Sequence, residues 1–307
     1  MRILVVGAGA TGGYFGGRLA EAGRDVTFLV RPKRAEELRR DGLQILSPHG
    51  DVTLHPQLVT ADRIASPYDA VLLTVKAFAL DAALTDLAPA VGPGSVIIPV
   101  LNGMRHLDVL IGRFGEAAVL GGVCLVATTL DAQGRVKQLA EFQQLVCGER
   151  SGEMSARVAA LGAVMQGAGF TARVSAVILQ EMWEKWILLA TLGSITCLLR
   201  GTVGDIEAAP GGAALALEVL GECVSVATAS GYTPGEAFLT RTKASVTAKG
   251  SATAPSMYRD LTQGLPVEAD QIVGDMVARA RGFGIAAPIL TAAYAHLSIY
   301  QRRVAGG

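Results

Sequence analysis

The rhythm of hydrophobic positions changes once along the chain, near residue 176. Before that point short, unbroken apolar runs alternate with helical patterns, and the first run, Ile3-Leu4-Val5-Val6, has no polar residue to face water. Such a run reads as a strand buried on both faces, as in a parallel sheet covered by helices. Comparable runs cover 26–30, 70–75, 95–101, 119–127, 144–148 and 170–174, joined by short connections rich in Gly and Pro. Strand and helix in alternation predict a parallel sheet with crossover helices. Beyond residue 176, helical periods follow one another over 178–199, 213–230, 235–248, 267–283 and 290–302. Gly231-Tyr232-Thr233-Pro234 and Gly284-Ile285-Ala286-Ala287-Pro288 separate helices in the expected order, glycine closing one and proline near the start of the next. The pattern predicts an α/β domain over 1–172 and an all-helical domain over 173–307.

Composition narrows what such a chain handles. With 307 residues, 50% of them hydrophobic and 18% charged, it is long enough for two well-buried domains. Lys plus Arg (27) balances Asp plus Glu (27), and no basic run points to nucleic acid or an anionic membrane surface. A small-molecule partner is expected. The apolar stretch 186–199 falls short of the roughly 20 residues that span a bilayer, and reads as a buried helix. The apolar N-terminus leads into a glycine turn rather than a cleavage site. Cys124, Cys147, Cys197 and Cys223 form no CxxC pair, and His49, His55, His106 and His296 form no helix-spaced ligand set. Reduced thiols, a cytoplasmic location and no metal are expected.

The glycine turn carries the first chemistry. Gly7-Ala8-Gly9-Ala10-Thr11-Gly12 follows a buried strand and opens a helix, which is the spacing of a Rossmann-type dinucleotide site. Gly7 permits the tight turn, Gly9 lets a pyrophosphate approach the backbone, and Gly12 lets helix and sheet pack closely, with the pyrophosphate on the helix N-terminus. NAD-binding chains place Asp or Glu about 20 residues on, at the end of the second strand. Here that place holds Arg31, with Lys33 and Arg34 close behind. A guanidinium suits a 2′-phosphate, so NADP(H) is favoured over NAD(H), against the plainer reading of a solvated basic loop.

Five further residues stand out. Lys185 sits between Trp183 and Trp186 at the start of a strongly apolar helix, and a desolvated lysine is a usable proton donor. An ion pair with Glu181, one turn earlier, accounts for it equally well. Glu268 begins a predicted helix, where the helix dipole alone favours a carboxylate. Ser256 has the sequence context of an N-cap. Asn102, the sole asparagine of the chain, follows a strand directly and precedes Gly103. Carboxyl ends of parallel strands face the ligand crevice, although Asn-Gly is also a common turn pair. Lys76 ends a strand in the same way, where a cation meets an anionic ligand.

Together these residues resemble the ketopantoate reductase (2-dehydropantoate 2-reductase) family over nearly the whole length. The resemblance rests on Gly7-x-Gly9-x-x-Gly12, Arg31, Val75-Lys76-Ala77, Leu101-Asn102-Gly103-Met104, Trp183-x-Lys185, and Ser256-Met257-x-x-Asp260-x-x-x-Gly264-x-x-x-Glu268-x-Asp270. It implies NADPH-dependent reduction of a 2-keto acid, with substrate in a cleft between domains. Lys185 would protonate the developing alkoxide, Glu268 would bind the new hydroxyl, Ser256 would hold the carboxylate, and Asn102 and Lys76 would order cofactor and substrate. Where the family has asparagines four and eight residues after the lysine, this chain has Leu189 and Gly193, and Val203 replaces a third before Gly204-Asp205. Apolar groups in place of amides remove discrimination for a substrate hydroxyl. Three readings stay open: the family's reduction of ketopantoate, a related oxidoreductase acting on a more apolar carbonyl or imine, and a regulator that binds NADP(H) without turnover. The helical domain also offers faces for a homodimer.

Overall fold

A computed structural model describes residues 1–305 and divides into two compact units. Met1–Leu101 and His106–Leu179 form the first, and Asn102–Arg105 joins the residues from Gln180 onward in the second. The strands are β1 (Ile3–Val6), β2 (Val26–Leu29), β3 (Leu43–Leu46), β4 (Val52–Leu54), β5 (Gln57–Val59), β6 (Ala70–Leu73), β7 (Val96–Pro99), β8 (Gly121–Leu130), β9 (Val136–Gly148) and β10 (Thr171–Val174). Helices of the first unit are α1 (Ala10–Glu21), α2 (Pro32–Asp41), α3 (Leu80–Leu87), α4 (Arg105–Phe114, from its second residue) and α5 (Ala156–Met165).

The first sheet is wholly parallel, in the order β5-β2-β1-β6-β7. β2, β1, β6 and β7 are buried along their whole length, as their largely apolar runs require. A second, mixed sheet runs β10-β9-β3-β4, with β8 antiparallel to β9. This sheet goes beyond the sequence expectation, which has no strand between 31 and 69 and starts β9 at 144. β3 and β4 are only four and three residues long, and the first half of β9 is rich in polar residues, so neither shows a clear period. α1 lies between the two sheets, and its glycines are what let it approach both. A Cβ on Gly16 would come within 2.7 Å of the Phe28 ring on the first sheet, and one on Gly17 within 2.6 Å of Ile45 on the second. Glycine costs about 1 kcal/mol in a helix interior, which the packing here offsets.

The second unit is helical: α6 (Ile178–Leu199), α7 (Val203–Ala208), α8 (Gly212–Ala229), α9 (Glu236–Val246), α10 (Ser256–Thr262), α11 (Asp275–Gly282) and α12 (Pro288–Ala305). By length and composition α6 and α8 are both apolar enough to cross a membrane. In α6 that character serves the core, since Trp183, Trp186, Ile187 and Ala190 are buried. Glu222 of α8 caps α12 by accepting from the Ile289 and Leu290 amides at 3.0 and 2.8 Å. The helix expected over 267–283 is present over 269–282, with a π-turn inside it. Glu268 stands just before the first helical residue, Ala269, Asp270–Gly274 forms a π-turn within the run, and α11 continues from it.

Candidate active site

The glycine turn begins where β1 ends. Gly7 has φ +93°, a conformation that only glycine adopts freely. At Gly12 a Cβ would fall 2.1 Å from the Gly7 carbonyl oxygen and 2.2 Å from Thr74 Oγ1. Thr74 is there because its hydroxyl donates to the Val6 carbonyl at 2.8 Å, pinning the end of β6 to the end of β1. Gly9 is the opposite case: a Cβ built on it meets nothing within 4 Å. Gly9 is also the N-cap of α1 and offers no side chain to the first amides, so donors at the positive end of the helix face open ground beside Ala10 and Thr11. That arrangement fits the pyrophosphate of a dinucleotide.

Arg31 is exposed and occupies the N-cap of α2, at the tip of β2. The cation that reaches the turn is Arg34, which donates to the Ala8 carbonyl at 3.4 Å and to the Gly134 carbonyl at 2.9 Å. Lys76 is exposed after β6, its ammonium 6.0 Å from the Phe78 ring centroid.

In the second unit the structure brings Asn102 and Glu268 together, the amide nitrogen donating to Glu268 Oε2 at 3.4 Å. The loop that carries Asn102 is seated by its neighbour. Gly103 has φ +79°, and a Cβ there would lie 2.5 Å from the Gln271 carbonyl oxygen. Lys185 is half-buried on α6, where the flanking Trp183 and Trp186 are both buried. Ser256 is exposed as the first residue of α10; the N-cap is Pro255, so the capping role expected of the serine is not realised.

The positions that depart from the family pattern are accounted for by packing. Met257 fills the place beside Gly193, where a Cβ would come 2.3 Å from its terminal methyl carbon. Leu189 is half-buried one turn from Lys185. Val203 is fully buried, and Asp205 is used in a capping box with Thr202, whose hydroxyl and amide hold the carboxyl below its ordinary range. The hydroxyls of Thr191 and Thr196 turn back to the Ile187 and Leu192 carbonyls of their own helix. Sequence reasoning missed Thr74 and the packing of Met257, and named Arg34 only as a neighbour of Arg31. A threonine closing the apolar run before Lys76 is the one signal among them.

A parallel sheet with an uncapped helix start, joined in one chain to a helical unit bearing a lysine and a carboxylate, is the plan of the two-domain nicotinamide-dependent oxidoreductases. The family described as ketopantoate reductase PanE/ApbA matches residues 3–152, and its C-terminal counterpart matches residues 177–301. The chain belongs to the ketopantoate reductase family. It is 36% identical over 301 residues to an uncharacterized oxidoreductase of Bacillus subtilis, covering 98% of this chain and 99% of that one. A 2-dehydropantoate 2-reductase of Halobacterium salinarum is 27% identical over 94% of this chain and 95% of its own. Among solved structures, a 2-dehydropantoate 2-reductase from Geobacter metallireducens superposes with a TM-score of 0.88 at 29% identity, covering 97% of this chain and 99% of that chain.

Proposed function

We propose that this chain reduces a 2-keto acid to the 2-hydroxy acid with NADPH, the reaction of its family being ketopantoate to pantoate. The observation that carries the reading is the Asn102–Glu268 contact, where an amide that follows a sheet strand meets the carboxylate that precedes the π-turn. When bound, the nicotinamide supplies the hydride. Lys185 gives its proton to the ketone oxygen as negative charge develops there, and a cation beside a forming oxyanion lowers that barrier. Glu268 accepts a hydrogen bond from the hydroxyl being formed, Ser256 holds the substrate carboxylate, and Asn102 orders substrate and cofactor. Arg31 and Lys76, both exposed cations, serve the 2′-phosphate and the substrate's charge. Four free thiols accord with a reducing cytoplasm.

A second reading of the substrate is favoured by one observation: the place beside Gly193 is filled by the Met257 methyl group, and Leu189 precedes it on the same helix. A wall of this kind prefers a 2-keto acid with a branched or aromatic side chain to one with a hydroxymethyl group. NADPH oxidation followed by absorbance, with ketopantoate and a panel of branched and aromatic 2-keto acids, tests both. Turnover of ketopantoate supports the first substrate, and turnover confined to apolar analogues supports the second. Tight NADPH binding with no turnover of any 2-keto acid overturns the proposal.

A further inference from the structure

Trp186 stands next to Lys185 in sequence, and its indole reaches the segment that follows Glu268. Its Nε1–H donates to the Ile272 carbonyl at 2.8 Å, inside the π-turn and across 86 residues of chain. Ile272 in turn donates its amide to the Glu268 carbonyl at 3.0 Å. One residue thus links the helix that bears the lysine to the backbone that bears the carboxylate. The indole itself has little freedom. Its ring lies 4.8 Å from Trp183, which stacks on Tyr232 at 5.4 Å, and the Arg279 guanidinium sits 5.5 Å from both indoles. Arg279 belongs to α11, which continues directly from the π-turn. π-turns widen the backbone ladder and are found where a helix has been adjusted for a site. Here the widened turn presents a carbonyl to a buried donor.

We propose that Trp186 is a positioning residue: its indole N–H, through Ile272, fixes the backbone of Glu268 to the helix that bears Lys185. The proposal rests on the reading of those two residues as the reducing site. Placement errors of about 1 Å cost up to a hundredfold in rate, so losing this bond affects turnover more than ground-state binding. Trp186→Phe is expected to lower kcat about tenfold or more, with the KM for the 2-keto acid and the Kd for NADPH within about twofold of wild type. Should the smaller ring fail to fold, 3-benzothienylalanine at position 186 keeps the bicyclic volume and replaces only the N–H by sulfur. The Glu268 side-chain carboxyl carbon, followed by NMR in the resting protein, is expected to give one sharp resonance in wild type and a broadened or doubled one in either variant. An unchanged kcat, or a resonance that stays single and sharp, overturns the proposal. If wild type turns over no 2-keto acid, the reading of the site has failed, and the resonance alone then decides whether the indole fixes Glu268.

Discussion

Lys185 is asked to do the most and is the simplest residue to test. A positioned general acid contributes about 10²–10⁴-fold, so Lys185→Ala should lower kcat at least about a hundredfold while the Kd for NADPH, read by fluorescence titration, stays unchanged. Surviving turnover would assign the proton to another group. Arg31 makes a different claim. A charge-assisted hydrogen bond is worth about 1.5–3 kcal/mol, so Arg31→Ala should weaken NADPH about tenfold or more and leave NADH nearly untouched. Equal losses for both nucleotides would remove the 2′-phosphate role, and Arg34, which touches the Ala8 carbonyl, would be the next cation to examine. Lys185 and Asn102 stood out in the sequence because one interrupts an apolar helix and the other is the sole asparagine, whereas Glu268 was singled out by the family resemblance. Thr74 and the packing of Met257 did not, because each gets its meaning from a partner elsewhere in the chain: Thr74 from Val6, 68 residues away, and Met257 from the missing side chain of Gly193.

At the level of elements, the glycine turn separates a packing role from a binding role. Gly12→Ala would drive a methyl group into the Gly7 carbonyl and Thr74, and overpacking of this kind costs about 1–3 kcal/mol. Gly9→Ala meets nothing in the protein itself. Urea denaturation should therefore show Gly12→Ala destabilised and Gly9→Ala close to wild type, with both losing NADPH affinity. If Gly9→Ala binds normally, the open ground above the turn is not where the pyrophosphate lies. The strands of the first sheet could be read from sequence because burial on both faces leaves a continuous apolar run. The second sheet could not, since β3 and β4 are short and β9 crosses from polar to apolar partway along. The π-turn at Asp270–Gly274 was invisible for a related reason. The groups that meet it, the Trp186 indole on Ile272 and the Tyr294 ring beside Gly274, come from other helices.

For the molecule as a whole, the thiols report on packing. Burial pushes Cys147, Cys197 and Cys223 up to about 12, whereas Cys124 is only partly buried. The thiolate is the reactive form, so iodoacetamide at pH 8 should label at most Cys124 in the native protein and all four cysteines in guanidinium, as counted by intact mass. Rapid native labelling of the other three would show that their surroundings open readily. The change of pattern near residue 176 announced two bodies in the sequence, but not that the second is assembled from two stretches of chain. Asn102–Arg105 counts with the helical unit while its flanking residues on both sides count with the first. A gene cut at residue 180 would therefore yield a helical fragment without the loop that seats on Gln271 and without the amide that meets Glu268. Chimeras that exchange helical halves between relatives need a second graft of four residues, taken from the turn after β7, to keep donor loop and donor carboxylate matched.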